Sequence, residues 1–346
     1  METKNKTNKF STRISNDQNI RLLVQTAFLL LILRIGYEFY GFVKYYQTNG
    51  ATPYFERPPG VEGFLPISSL MGLIHFVTTG DFNSIHPAGI VLFFIFFLFA
   101  ILLKKGFCGW VCPVGFFSEY LWKLGRKVFG RNFVLPRWLD YPLRSLKYLI
   151  LLFFVWAIVT MSSGELSDFL YGKYNKIADV KMLLFFTDIS AFALGIIIAL
   201  AVLSLFIKNF WCRYLCPYGA FLGFFSLFSP LKVTRNPDTC TDCRHCTEAC
   251  PSNISVHTKT RIHSDECMAC AACITACPET DTLKFRLHKK AKRSIPVKVY
   301  ALILIGLFII GTGLAMLTGH WKNSVKPDEY KTLIQQINDP EMDHVN

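Results

Sequence analysis

Eight cysteines fall within 38 residues of this 346-residue chain, in two runs of identical spacing. Each run reads Cys-x2-Cys-x2-Cys-x3-Cys and is followed directly by proline. Three thiolates at this spacing can wrap one corner of an iron–sulfur cubane, while the fourth ligates the other cluster. The pattern therefore predicts two [4Fe–4S] clusters with crossed ligand sets. The first set is Cys240, Cys243, Cys246 and Cys277, and the second is Cys267, Cys270, Cys273 and Cys250.

Two other roles of clustered cysteines fit this pattern less well. Structural zinc sites use paired Cys-x2-Cys knuckles with four ligands in total, whereas here two four-cysteine runs each end in Cys-Pro. Disulfides are disfavoured if the segment lies on the reducing side of a membrane. Large apolar side chains are scarce around the runs, so we expect a small α+β domain that the clusters themselves organise, over residues 234–288.

The rest of the chain is unusually apolar. Hydrophobic residues make up 52% of it, and the mean hydropathy is +0.33. About 20 apolar residues are needed to cross a bilayer as a helix. We therefore predict a polytopic α-helical membrane protein with about five transmembrane helices, the first retained as an anchor and not cleaved as a signal peptide. The predicted spans are 22–42, 86–103, 146–162, 189–207 and 299–317.

The distribution of basic residues predicts how these helices are oriented. Of the 37 Lys and Arg, 28 lie in one set of alternate connecting segments and 8 in the other set. The first set is 1–21, 104–147 and 208–298, and the second is 43–85, 163–188 and 318–346. Since Lys and Arg favour the cytoplasmic side, we expect a cytoplasmic N-terminus and an extracytoplasmic C-terminus. The net charge of +13 is then mainly a topology signal, and nucleic-acid binding is not expected.

These patterns divide the chain into five predicted parts. They are a cytoplasmic N-terminal segment (1–21), a membrane domain (22–230), a cytoplasmic two-cluster ferredoxin domain (234–288), a final transmembrane helix (297–318) and a short extracytoplasmic tail (319–346).

The four remaining cysteines form two matched pairs in the membrane domain. Cys108 and Cys112 belong to a Cys-x3-Cys-Pro element, and Cys212 and Cys216 to a second one, 104 residues further along. Each element follows an apolar stretch and precedes a Phe-rich segment. The match predicts two parallel helix-hairpin repeats, related by an axis along the membrane normal.

Cys-x3-Cys-Pro also suggests a chemical role. Proline favours the first helical position, so Cys112 and Cys216 should cap helices, where the positive helix end lowers a thiol pKa toward thiolate. The four cysteines are therefore a candidate redox or metal site, which could hold an iron–sulfur centre, a single metal ion or a dithiol. The alternative is that they are small buried side chains at helix ends.

A further candidate lies on the extracytoplasmic side. The segment from Arg57 to Ile67 contains Glu62 and is rich in Pro and Gly. Together with His75 and His86 it could bind a quinone headgroup, which needs a hydrogen-bond partner and a proton acceptor. Ordinary loop packing is the alternative.

The two Cys-x3-Cys-Pro elements followed by the eight-cysteine cassette resemble the NapH/YccM-like membrane polyferredoxin family. This resemblance covers about residues 22–322 and includes the stretches Leu135–Asp140 and Trp211–Gly219. It implies a bacterial inner-membrane protein that passes electrons between the quinone pool and a redox partner protein or reductase subunit.

On this basis we expect an electron carrier, or a subunit resembling quinol dehydrogenases, and whether the chain is itself an enzyme stays open. One alternative is a reductase that delivers Cu(I) or Fe(II). Another is a redox-sensing regulatory or assembly protein.

Overall fold

The computed structural model describes residues 2–288, 291, 293–337 and 339, with side chains described from residue 17 onward. The chain forms two compact units. All twelve cysteines belong to the first, which we call the cysteine unit, and the second is the cysteine-free unit. The cysteine unit comprises residues 1–29, 96–151 and 197–307, and the cysteine-free unit comprises 30–95, 152–196 and 308–346.

The described part of the chain is mostly helical. The α-helices are α1 (Glu2–Gln47), α2 (Pro66–Thr79), α3 (Pro87–Leu103), α4 (Gly106–Trp110), α5 (Pro113–Phe129), α6 (Arg137–Val159), α7 (Ser163–Tyr171), α8 (Lys173–Lys176), α9 (Ala178–Thr187), α10 (Ala191–Phe206), α11 (Pro217–Ser226), α12 (His245–Glu248), α13 (Ala272–Thr275), α14 (Val297–Leu317) and α15 (Pro327–Gln335). The strands are β1 (Lys232–Arg235) and β2 (Leu283–Arg286). Shorter turns of helix cover Pro59–Phe64, Trp211–Leu215 and Val256–Thr258.

Three of the helices are long and apolar enough to cross a membrane: α1 from Asp17, α6 and α14. The pair α9 and α10 makes a fourth candidate, but it bends by 79° at its break. Helix α3, where a span was predicted, has 17 residues and is therefore about 26 Å long. That is slightly less than the hydrocarbon thickness of a typical bilayer. The membrane character is evident, while the predicted count of five spans stays a prediction.

The ferredoxin segment contains a small antiparallel sheet. Strand β1 pairs with β2 so that Val233 lies opposite Phe285, and both side chains are buried. The sheet continues as single bridges from Thr234 to Arg261 and from Phe285 to Ile295. Strand β1 begins at Lys232, two residues before the start that the sequence predicts for this domain, and the predicted bounds stay a prediction.

Helix α5 is amphipathic. Phe117, Leu124 and Val128 are exposed on one face, while Trp122 is buried on the opposite face. An exposed apolar face beside a protein-covered face is typical of a helix that lies along a membrane interface.

The cysteine-free unit has an aromatic core to which the end of the chain contributes. Phe42 packs edge to face against both Tyr46 and Tyr330, at ring-centroid distances of 5.1 and 5.2 Å. Leu333 and Ile334 of α15 are buried in the same core. The sequence had indicated only a short polar tail after the last span. Its described part instead carries an amphipathic helix, whose apolar positions three and four residues apart face the core.

Candidate functional site

The first predicted ligand set lines one cavity of the ferredoxin segment. Cys240, Cys243, Cys246 and Cys277 surround about 300 Å³ of space free of protein atoms. The chain brings Cys277 back to the first cysteine run because β2 follows it and pairs with β1. The cysteines belong to runs that are far apart in sequence, so this grouping is a property of the fold.

The second predicted set lines a separate cavity. Its cysteines are Cys250, Cys267, Cys270 and Cys273, and its apolar walls include Val233 and Ile262. All of these cysteines are free thiols. A donor set of four thiols enclosed by apolar side chains fits a [4Fe–4S] cluster, whose iron atoms need thiolate ligands.

The backbone of both runs is bent in the same way. Asp242 and Arg244 in the first run adopt positive φ angles, and so do Ala269 and Ala271 at the equivalent positions of the second run. Left-handed residues turn the chain sharply, which is unfavourable for residues other than glycine unless their surroundings require it. The repeated bend directs successive cysteine side chains into the cavity before α12 and α13 begin.

The two sets differ in exposure. In the first set Cys243 is exposed, Cys240 is half-buried, and Cys246 and Cys277 are buried. In the second set Cys250, Cys267 and Cys270 are buried and Cys273 is half-buried. The first set is therefore the more exposed of the two, and Cys243 gives it an edge that an external redox protein can approach.

Two of the four cysteines of the membrane domain lie at helix starts, as their sequence predicts, while Cys108 and Cys212 lie within the preceding helical turns. Cys112 is the N-cap of α5 and Cys216 is the N-cap of α11, each followed by proline. The Sγ atom of Cys216 accepts a hydrogen bond from the Gly219 amide at 3.2 Å. Backbone amides at a helix start can stabilise a negatively charged thiolate or cluster.

These four thiols form one electrostatic group. Ionisation of Cys212 is opposed by the charges of Cys108, Cys112 and Cys216, and Cys108 interacts in the same way with Cys112 and Cys216. Such mutual repulsion requires close proximity. We call Cys108, Cys112, Cys212 and Cys216 the edge set.

The sequence predicted that helix ends lower the pKa of these thiols. For the polypeptide without a bound metal or cluster, this prediction was wrong. Burial raises the pKa of Cys108 to about 12 and that of Cys112 to about 11. It also raises the pKa of Cys212 and of Cys216. Desolvation of the anion outweighs the amide hydrogen bonds and the positive charge of Lys105. The edge set therefore needs a metal cation to become a set of thiolates.

Buried charges that the sequence had not singled out connect the edge set to the ferredoxin segment. Lys105 and Lys147 are almost fully buried, and both face Glu266, the residue before Cys267. Lys147 forms an ion pair with Glu266, and Lys105 lies 4.0 Å from its carboxylate. The ammonium group of Lys105 also favours ionisation of Cys108.

Asp265 is held beside this pair. Its carboxylate accepts a hydrogen bond from the Tyr148 hydroxyl at 2.5 Å and lies 3.4 Å from the Arg144 guanidinium. Burial would raise the pKa of Asp265, but the hydrogen bond and the positive charges of Lys147 and Lys105 outweigh burial and lower it. Asp265 is therefore held against α6 as a carboxylate.

Direct contacts join the two cysteine regions as well. The indole Nε1 of Trp110 donates a hydrogen bond to the Ala269 carbonyl at 3.0 Å. At Gly109 an added Cβ would collide with the Met268 carbonyl, so the two backbones touch there. Gly109 and Trp110 lie between Cys108 and Cys112, while Met268 and Ala269 lie between Cys267 and Cys270. The edge set and the second ferredoxin set thus meet through the residues between their own ligands.

The second Cys-x3-Cys-Pro element makes similar connections. Arg213, which follows Cys212, forms a bidentate ion pair with Asp140 at 2.8 and 2.9 Å and donates to the Ser252 carbonyl. Lys208 donates to the carbonyl of Cys250 at 3.3 Å. Both membrane-domain elements therefore contact residues beside the ligands of the buried ferredoxin set.

The polar residues suggested for a quinone headgroup lie in the cysteine-free unit, and the side chains of Arg57, Glu62, His75 and His86 are buried. His75 lies 3.2 Å from the Asp81 carbonyl through Nδ1, and Arg57 pairs with Glu62 at 2.8 Å. Within the described residues, no group of three or more His, Cys, Asp or Glu is arranged to hold a single metal ion.

Two family models match this sequence. A 4Fe-4S binding domain matches twice, over residues 85–132 and 189–236. These ranges contain the two Cys-x3-Cys-Pro elements. A 4Fe-4S dicluster domain matches residues 232–278, which contain the eight-cysteine cassette. Iron–sulfur binding is therefore supported for the cassette and for the edge set.

Curated proteins with similar sequences carry names that refer to electron transport, to regulation and to a ferredoxin-type protein. The "Putative electron transport protein YccM" of Escherichia coli (strain K12) is 41% identical over 91% of this chain and 90% of that protein. The regulatory protein NosR of Pseudomonas aeruginosa is 29% identical over 67% of this chain and 32% of that protein. The methylamine utilization ferredoxin-type protein MauN of Methylobacillus flagellatus is 26% identical over 56% of this chain and 62% of that protein. No solved structure matches this chain.

Proposed function

Since this chain belongs to the same family as the electron transport protein YccM, we propose that it is an electron conduit of the bacterial inner membrane. Electrons pass between the quinone pool and a soluble redox protein or reductase subunit, by way of three groups of cysteines. The bias of Lys and Arg toward alternate segments supports a cytoplasmic ferredoxin domain.

The order of the cysteine groups follows from contact and exposure. The edge set touches the buried ferredoxin set through Gly109 and Trp110, and the first ferredoxin set carries the exposed Cys243. We place the edge set toward the membrane, the buried set in the middle and the exposed set at the partner. The contact of Trp110 with Ala269 is the observation that carries this order.

Each group of four cysteines would hold one [4Fe–4S] cluster, which supplies reversible one-electron transfer when bound. For the edge set, a cluster is favoured over a single ion because the 4Fe-4S binding domain model matches both Cys-x3-Cys-Pro elements. The chain itself supplies buried Lys105 and Lys147 beside the edge set, which offset the negative charge of a thiolate-ligated cluster.

Iron and sulfide analysis of anaerobically purified protein tests the number of clusters. We expect about 12 irons per chain, falling to about 8 in a variant with Cys108→Ala and Cys212→Ala. About 8 irons in the unmodified protein would contradict a cluster at the edge set. Mössbauer spectra of the same samples would identify a single iron or another metal there.

A quinol titration tests the electron source. We expect an anaerobically added menaquinol or ubiquinol analogue to bleach the cluster absorption, with reduction by dithionite as the positive control. Reduction by dithionite alone would contradict quinol input. The edge-set variant should then be reduced by dithionite at the ferredoxin sets but no longer by quinol.

A further inference from the structure

The cysteine-free unit contains a buried charged network. Arg57 donates to Asp179 through Nε and to Glu62 through a terminal nitrogen, each at 2.8 Å. Glu62 and Asp179 are fully buried, and Arg57 is 8% exposed. Two carboxylates thus share one guanidinium in a place that water does not reach.

His86 completes this network, and its contacts determine where its protons must lie. Its Nε2 atom is 2.6 Å from the Asn175 carbonyl, which can only accept a hydrogen bond. Nε2 therefore carries a proton. The Nδ1 atom lies 3.6 Å from Glu62 Oε1, and among the described residues it has no hydrogen-bond partner.

With a neutral His86 this arrangement would be unfavourable in two ways. The lone pair of Nδ1 would face a carboxylate oxygen, and the three charged groups would leave one negative charge uncompensated. A buried charge without a partner is costly, and the loss of one partner from a buried ion network is strongly destabilising. One additional proton on Nδ1 removes both problems. It makes Nδ1 a hydrogen-bond donor toward Glu62, and it brings the net charge of the network to zero.

We propose that His86 and Glu62 hold one buried proton, and that this proton makes the Arg57–Glu62–Asp179–His86 network a proton-binding site. This assignment is independent of the proposed electron path. Burial alone would raise the pKa of Glu62, but Arg57 and His86 outweigh it and lower that pKa. Glu62 Oε1 already accepts a hydrogen bond from Arg57 and Oε2 accepts one from the Gly89 amide, so we place the proton on the His86 ring.

The other groups around the network do not supply this charge. The Tyr330 ring lies under the Arg57 guanidinium at 5.8 Å, and its hydroxyl accepts a hydrogen bond from Asn323. The aromatic face favours the cation and adds no negative charge in its neutral form.

The two carboxylates also fix backbone. Glu62 Oε2 accepts from the Gly89 amide at 3.0 Å, near the start of α3. Asp179 Oδ1 accepts from the Val180 amide at 2.9 Å, near the start of α9. Loss of the proton would leave these buried carboxylates with a surplus charge and weaken the junction of the two helices. The site is thus a proton-dependent clamp in this unit.

Nitrogen NMR of the full-length protein in lipid nanodiscs, with ¹⁵N-labelled histidine, tests the proposal. The His86 signals are identified by their loss in His86→Gln. At pH 7.5 we expect both ring nitrogens of His86 to be protonated. One protonated and one unprotonated nitrogen would overturn the proposal, and this result needs no variant of the network.

Two substitutions sharpen the test because each removes one negative charge. In E62Q and in D179N we expect His86 to become neutral at the same pH, with Nδ1 unprotonated. In E62Q the new amide can donate to Nδ1 in place of the lost proton. The control is E38Q, which removes a carboxylate paired with Arg34 at 2.8 Å in the same unit and should leave His86 unchanged. A doubly protonated His86 in both network variants would contradict the charge balance.

Discussion

The two cysteine sets of the ferredoxin segment have the same spacing and the same bent loops, but their surroundings differ. The set containing Cys270 is covered by α4, α6 and neighbouring residues, and carbonyls of its loops accept hydrogen bonds from Trp110 and Lys208. The set containing Cys243 lacks these contacts among the described residues and is partly exposed. The same sequence motif therefore occurs once in a covered environment and once in a partly exposed one.

This difference is informative because electron transfer needs both kinds of site. A buried set in contact with the edge set can exchange electrons within the protein. A set with an exposed ligand can exchange them with another protein. Identical ligand spacing cannot distinguish these roles, and the distinction arises from what packs against each loop.

The largest effect is expected from removing one ligand of each set. In C270A we expect loss of about four irons and a markedly lower thermal stability, because the buried set also anchors the domain. In C243A we expect a similar loss of iron with a smaller loss of stability. Iron analysis and thermal unfolding of purified protein measure both. Equal destabilisation by the two variants would contradict the proposed asymmetry.

The second largest effect on stability is expected from breaking the buried ion pair between Glu266 and Lys147. In E266Q, the buried Lys147 loses its nearer carboxylate partner and keeps Asp265 at 3.9 Å. A loss of about 3–5 kcal/mol of stability is typical when one partner of a buried ion pair is removed. The matched control is D281N, since Asp281 pairs with Lys284 at 2.5 Å on the surface. Exposed pairs contribute less than about 1 kcal/mol. Thermal unfolding measures the loss of stability in E266Q and in D281N. A decrease in Tm for E266Q no larger than that for D281N would refute the role of Glu266 in anchoring the ferredoxin segment to α6.

Substitution of Gly109 tests the contact between the edge set and the buried set. In G109A the added methyl group must displace the Met268 carbonyl, at a cost of about 1–3 kcal/mol for overpacking. We also expect slower reduction of the ferredoxin sets by quinol, with direct reduction by dithionite unchanged. The control is G306A in α14, where an added Cβ meets open space. Unchanged quinol kinetics in G109A would argue against this route.

The smallest effect is expected from Trp110. W110F removes the hydrogen bond to Ala269 but keeps an aromatic ring, so a loss of about 1 kcal/mol is expected. The EPR signal of the buried set should shift, because a loop carbonyl between its ligands loses its donor. W138F is the control, since Trp138 is 75% exposed. An EPR signal that stays the same would place Trp110 outside the path.

Sequence spacing predicted the cofactor type and the grouping of the eight ferredoxin cysteines, because cluster ligation depends on short-range turns with a fixed number of residues. It also predicted the helix caps at Cys112 and Cys216, since proline fixes the first helical position. Apolar length indicated a membrane protein, although the number of spans was less well determined. Helix α3 has 17 residues, and the pair α9 and α10 is bent, so length alone does not decide whether either crosses the membrane.

Tertiary structure alone decided the remaining features, because they depend on residues distant in sequence. Only the fold brings Trp110 to Ala269 and Lys147 to Glu266, and only the fold buries one ferredoxin set and exposes the other. The raised pKa of the edge-set thiols is of the same kind, since desolvation depends on all that surrounds a group. The sequence determined which ligands this protein carries, and the packing of distant segments determined their electrostatics and their order.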